Sequence, residues 1–352
     1  MSSLFTRPLS AIALSSLALS VAACGSTSND AAPLPPATCA SCAAEAAAGA
    51  EDASAGHAPP SSSGAADAAS PRPVVLTGDI DLCGPNTYAG TLVIAKGSHV
   101  TCASGELSID ADAILLEAGA SLTVAPTSTR VSGLDAHPCS LGSYSSYSGA
   151  SGAGHGGYGA SGGNGYDVNS GANGIPACSP CRAPMGGERF GSDEDLVIEP
   201  GAKGGDGCQG GGPTCPKGNA LAGGRGGGVV RLTAKTAIRI DGEVRADGEP
   251  GERYNTQFNG GSGGAGGGSG GGILLRANAV VIGATGVVSA AGGAGSAGWN
   301  YGACTSGSAQ GPFNAKGGAG GNGRVKIGWA QGAQPFSTPG TIVGTFTSAP
   351  YP

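Results

Sequence analysis

The sequence predicts an all-β protein: a right-handed parallel β-helix, or β-solenoid, with glycine-rich loops, carried behind a disordered tether. Three observations lead there. Short apolar strands such as Leu92-Val93-Ile94, Val100-Thr101-Cys102 and Leu107-Ser108-Ile109 recur every seven or eight residues, which leaves no space for crossover helices. Residues 226–251 are copied by residues 270–295 at a fixed offset of 44. Finally, 70 of the 352 residues are glycine, and they cluster between the strands, where turn chemistry places them. An antiparallel β-sandwich stands as the alternative, because Asp241-Gly242 and Asp247-Gly248 are hairpin-type dipeptides.

The chain opens on a targeting pattern. A basic Arg7 precedes an apolar run from about Leu9 to Val21, too short for the roughly 18 to 20 residues that span a bilayer. Residues 1–23 therefore read as an export signal. Its end, Val21-Ala22-Ala23-Cys24, resembles the lipobox of bacterial lipoproteins, which implies cleavage before Cys24 and lipidation of that cysteine. Gly25-Ser26-Thr27 contain no Asp of the kind that marks inner-membrane retention, so the outer membrane or cell surface is the expected location. Residues 24–72 are rich in Ala, Pro and Ser and bury too little to offset their ordering entropy. They form the expected tether.

The exported body divides by composition. Residues 73–131 carry the N-terminal strands, 132–222 are glycine- and cysteine-rich and irregular, and 223–352 hold the repeats. In the first repeat Val230, Leu232, Ala234, Ile238, Ile240, Val244 and Ala246 alternate with polar or charged residues, so one face of each strand is inside. The stretch 142–174 reads as a disordered segment or a long surface excursion, with packed polyglycine strands as the alternative. Segments 223–251, 266–295 and 317–329 resemble the glycine-rich repeat of bacterial PGRS-like surface proteins, GGGxIxLxAxxIxIxGxIxAxGG. The resemblance implies a β-solenoid on an exported protein that has no established catalytic residues.

If lipid takes Cys24, ten cysteines remain of 11, an even number in an exported chain. Cys208 with Cys215 is the best local pair, and Cys83 with Cys102 a second. Cys139, Cys178, Cys181 and Cys304 complete the disulfide candidates. Cys39-Ala-Ser-Cys42 and Cys178-Ser-Pro-Cys181 lie too far apart for a compact zinc site, so no metal and no cofactor is expected.

The remaining chemistry reads as absent. Eighteen scattered basic residues and a net charge of -6 give no footprint for nucleic acid. The three Gly-x-Ser-x-Gly matches, at Ser161, Ser262 and Ser269, lie outside any strand-to-helix turn. Gly162 to Asp167 is a lone copy of a calcium nonapeptide, and calcium would need consecutive copies. The acid groups Ser192-Asp193-Glu194-Asp195 and Asp110 with Asp112 read as solvated faces, and His57, His99, His137 and His155 are dispersed. The expected function is that of a non-enzymatic, lipid-anchored structural or adhesive surface protein. Its expected partners are the membrane, through the lipid anchor, and extracellular polysaccharide or envelope components. Tyr254, Phe258, Trp299 and Tyr301 are the candidates for stacking on sugar rings. A polysaccharide-binding or polysaccharide-cleaving β-helix protein is the alternative.

Overall fold

A computed structural model describes residues 72–136, 148–163, 165–170, 176–208, 220–253, 263–298, 315–332 and 336–351, with the backbone alone for 165–170 and 176–181. The chain divides into units Met1–Ala65 and Ala66–Pro352, and the described residues belong to the second. The expected signal and tether lie outside them.

In chain order the strands are β1 (Val74–Leu76), β2 (Asp79–Asp81), β3 (Gly84–Thr87), β4 (Thr91–Ile94), β5 (His99–Cys102), β6 (Glu106–Leu116) and β7 (Ser121–Val124). After them come β8 (Gly165–Ser170), β9 (Pro176–Cys181), β10 (Gly207–Cys208), β11 (Ala220–Leu221), β12 (Val229–Ile240) and β13 (Glu243–Arg245). The last six are β14 (Gly272–Ala277), β15 (Ala279–Ile282), β16 (Val287–Ser289), β17 (Arg324–Ala330), β18 (Thr341–Val343) and β19 (Thr345–Tyr351). A nine-stranded sheet runs β1-β4-β6-β12-β14-β17-β19, with β3 and β15 alongside, and a six-stranded sheet runs β18-β16-β13-β7-β5-β2. Every pairing in both is parallel, whereas the small β8–β9 and β10–β11 ladders are antiparallel.

Alternation decides what each strand buries. Leu107, Ile109 and Ile114 of β6, Val230, Leu232 and Ile238 of β12, and Ile273 and Leu275 of β14 are at most 2% exposed and share one core with Leu122, Val244 and Val288 of the six-stranded sheet. At about 25 cal/mol per Å² of apolar area, these aligned rows are the main stabilising term of the two-sheet body. Cys83 and Cys102 form a disulfide, with Cα atoms 4.9 Å apart, that ties the β2–β3 corner to β5. Between Ala234 and Ala237 the register slips. At that bulge Lys235 pairs with Asp112, whose carboxylate also accepts the Gly90 N–H at 2.8 Å.

The glycine stretches are the unexpected part. In residues 263–271 successive N–H groups point in three directions in turn. Gly263, Gly266 and Ser269 donate to Cys208, Gly205 and Ala202; Gly264, Gly267 and Gly270 to Ala315, Gly318 and Gly321; Gly268 and Gly271 to Glu249 and Ala246. The carbonyls accept in the same rotation from Ala150 and Ala153, Gly224 and Gly227, and Gly293 and Ser296. A period of three with no internal hydrogen bond is the signature of the polyproline II helix. Side-by-side packing this close forbids a Cβ: one built on Gly320 would meet the Gly268 carbonyl oxygen at 2.0 Å. The glycines are thus a hydrogen-bonded bundle of extended segments, covering residues 148–163, 200–208, 220–228, 246–252, 263–271, 290–296 and 315–323.

These findings correct the expected fold. The antiparallel sandwich fails because both large sheets are parallel. The all-β, right-handed parallel β-helix with glycine-rich loops fails on two counts. A solenoid repeats one unit, yet the spacing between paired residues of neighbouring strands runs from 18 residues (Val74 to Leu92) to 124 (Ile114 to Ile238). Moreover, the glycines are not loops but a regular lattice. Parallel pairing on this scale is the sheet type of α/β proteins, where helices cover the faces. Here no described residue is helical, and the two sheets cover one face of each other. The reading of 142–174 as a disordered segment or surface excursion is likewise corrected in favour of the packed polyglycine alternative for 148–156, which are buried inside the bundle, while 157–163 lie at its edge.

Candidate functional site

β17 reads Arg-Val-Lys-Ile, and with Val325 and Ile327 in the core its two cations point to the opposite face of the sheet. Solvent would be their usual surroundings. Instead a strap, residues 190–199, crosses over them, leaving the Arg324 side chain 4% and that of Lys326 1% exposed. Lys326 Nζ donates to the Asp195 carbonyl at 2.8 Å, the Asp195 carboxylate at 2.9 Å and the Val197 carbonyl at 2.7 Å, which uses all three of its protons. Arg324 donates from Nε and Nη2 to the Phe190 carbonyl and from Nη2 to that of Gly191, and its Nη1 faces the Asp193 carboxylate. The hydrogen bond from Lys326 holds the Asp195 carboxyl below the usual carboxylate range. Ile198 and Leu196 add an apolar contact to Val229 and Leu274.

Beneath the start of the strap lies His155. Its ring is fully buried, stacks on Phe190 with centroids 4.5 Å apart, and places Nδ1 2.8 Å from the Gly270 carbonyl. Nε2 is buried without a hydrogen-bond partner. Burial pushes its pKa down to about 4, against the Gly270 hydrogen bond and with help from Arg324, Arg130 and Lys326. His155 is therefore neutral near pH 7.

A groove of about 650 Å³ opens beside this cluster, lined in part by Arg130, Val131, Leu134, Tyr158, Met185 and Phe190. Val131, Leu134, Tyr158 and Met185 are each more than half exposed, a concentration of apolar surface that marks contact sites. The Arg130 guanidinium lies 3.9 Å over the Phe190 ring. Comparison of the chain with protein-family profiles, curated proteins and solved structures finds no match.

Of the residues singled out from sequence, Cys24, Cys139, Cys215, Cys304, Tyr254, Phe258, Trp299 and Tyr301 lie outside the described residues, and Cys178 and Cys181 are described in backbone only, on β9. Cys208 is disulfide-bonded. Among the described residues no group of three His, Cys, Asp or Glu is placed to hold a metal ion. The serine of Gly267-x-Ser269-x-Gly271 spaces two bundle segments, its Oγ accepting the Ala202 N–H at 2.7 Å. The acid run 192–195 is exposed, as a solvated face would be, yet Asp193 and Asp195 also clasp buried cations as part of the strap. Its basic partners lie about 130 residues away in sequence, so nothing local reveals the convergence. His155 was equally hidden, because it is the bundle that buries it.

Proposed function

We propose that the protein is a lipid-anchored structural or adhesive surface protein, without a catalytic role, whose glycine bundle gathers the flanks of five internal stretches at one end. One observation carries this reading. The described residues that flank each of five internal stretches, near 137–147, 164–182, 209–219, 254–262 and 299–314, are hydrogen-bonded to one another at the bundle end remote from the large sheets. Gly149 donates to Gly163, Ala150 to Gly264, Gly264 to Ala315, and Cys208 to Gly263, while Ala136 donates to Asp206. Those stretches hold Tyr144, Tyr147, Tyr254, Phe258, Trp299 and Tyr301, the aromatic residues suited to contact with other molecules. A bundle held by backbone hydrogen bonds between its segments is an economical support for these flanks, since its backbone groups find partners without side chains.

Two measurements test the reading. Membrane fractionation of the Cys24→Ala protein should move it from the particulate to the soluble fraction, and unchanged association would remove the anchor. Protease treatment of intact cells should cleave within the five stretches first. A second reading, recognition of polysaccharide, is favoured by the groove at Tyr158 and Arg130. The engagement of Asp193 and Asp195 by buried cations speaks for a structural clasp over an acid/base pair. A glycan panel separates the readings: retention without depolymerisation supports binding, and turnover of any polymer contradicts the non-catalytic assignment.

A further inference from the structure

We propose that the strap of residues 190–199 is an acid-released clasp, with His155 as its latch and the outer face of β17 and its neighbours as the surface it uncovers. The geometry points to this in three steps. First, the strap's entry is tied to His155 twice, by the Phe190 N–H to the His155 carbonyl at 2.9 Å and by the ring stack. Second, the groups that receive the strap are cations. Arg324 and Lys326 come from β17, Arg130 from the segment after β7, and Arg189 precedes the strap and pairs with Asp193 at 2.9 Å. The carboxylates at hand, Asp193, Asp195 and Glu199, are engaged by Arg324 and Arg189, by Lys326 and by Arg130 respectively. Third, Nε2 of His155 has no acceptor, so a proton arriving there would create a buried, unpaired charge in a cationic neighbourhood. Lifting Phe190 off the ring admits water and removes that penalty.

The linkage sign follows from the lowered pKa. A histidine at about 4 when closed and 6.5 when open favours the closed state above 6.5, and that preference fades as pH falls from 6.5 towards 4. Between pH 7 and pH 5 the opening equilibrium should rise about twentyfold if the open strap exposes His155 fully. Asp195, with its lowered pKa, adds a second loss only below its ordinary value of 3.8, so the two windows are separable. What opening uncovers is specific: Val229 and Leu274 lose their cover of Leu196 and Ile198, and Arg324 and Lys326 meet solvent. The surface becomes apolar and cationic.

Hydrogen exchange of the mature full-length protein, corrected for intrinsic rates, tests the proposal. The Phe190 amide, which donates to the His155 carbonyl, should exchange about twentyfold faster at pH 5 than at pH 7, while the amides of β12 stay protected. In His155→Phe, which keeps the stacked ring without the proton, that rise should vanish. Asp195→Asn should loosen the strap at both pH values and leave the ratio in place. An unchanged strap between pH 7 and pH 5 in the wild type overturns the proposal, as does a wild-type ratio in His155→Phe. If His155→Phe does not fold, as loss of β12 protection would reveal, NMR titration of His155 in the wild type decides instead. A titration midpoint that does not coincide with strap opening overturns it equally.

Discussion

At the scale of single residues, the decisive property is the absence of a side chain. Gly320 and Gly157 lie in or beside the same bundle, yet a Cβ on Gly157 would find its nearest neighbour at 3.4 Å, an ordinary contact, whereas on Gly320 it would meet backbone oxygen at 2.0 Å. Gly320→Ala is therefore expected to cost several kcal/mol, because two hydrogen-bonded segments must separate, and Gly157→Ala less than about 1 kcal/mol. Chemical denaturation of the two variants checks the contrast. The serines follow the same logic: buried Ser151, Ser269 and Ser296 fill places where two backbones stand one side chain apart, each accepting a backbone N–H at 2.7 to 2.8 Å. Ser269→Ala should cost about 1 to 3 kcal/mol by leaving the Ala202 N–H unpaired.

Among elements, the strap and the strands illustrate what a charged group contributes in different surroundings. Arg239 pairs with Asp241 on the surface, with 59% of its side chain exposed, and Arg239→Ala should change stability by less than about 1 kcal/mol. Lys326 has the same kind of partner but is buried, and Lys326→Ala leaves the Asp195 and Val197 carbonyls unpaired beneath the strap. It should cost more than about 2 kcal/mol, read from thermal melting. The strands themselves were legible in sequence. Alternation put Val230, Leu232, Ile238 and Ile240 on one face, and all four are fully buried. The pairing was only partly legible. Val244 pairs with Val288 at the 44-residue offset of the repeat, but Ile282 pairs with Ile240 and Ile273 with Val230, offsets of 42 and 43, because the slip at Lys235 and the bend at Asn278, and then the corners 241–242 and 283–286, take up residues unequally. The bundle was legible only as the alternative reading of 142–174 as packed polyglycine strands; elsewhere glycine is a local signal for turns, and its lattice partners lie up to 168 residues away. The strap was hidden for a related reason, since its acids look solvated until β17 is placed beneath them.

For the whole molecule, two kinds of order share one chain. The two-sheet body gains stability from buried aliphatic rows and from the Cys83–Cys102 disulfide, whose removal in a Cys83→Ala, Cys102→Ala protein should cost about 2 to 4 kcal/mol. The bundle buries little apolar surface and relies on the hydrogen bonds between its segments. Its consequence for function is placement, as the flanks of five internal stretches end up together. Hydrogen exchange of the glycine amides in residues 263–271 tests that arrangement most directly. The lattice predicts protection comparable to that of Val230–Ile240 in the same native protein; exchange of those glycines at the rate of an open chain would contradict it.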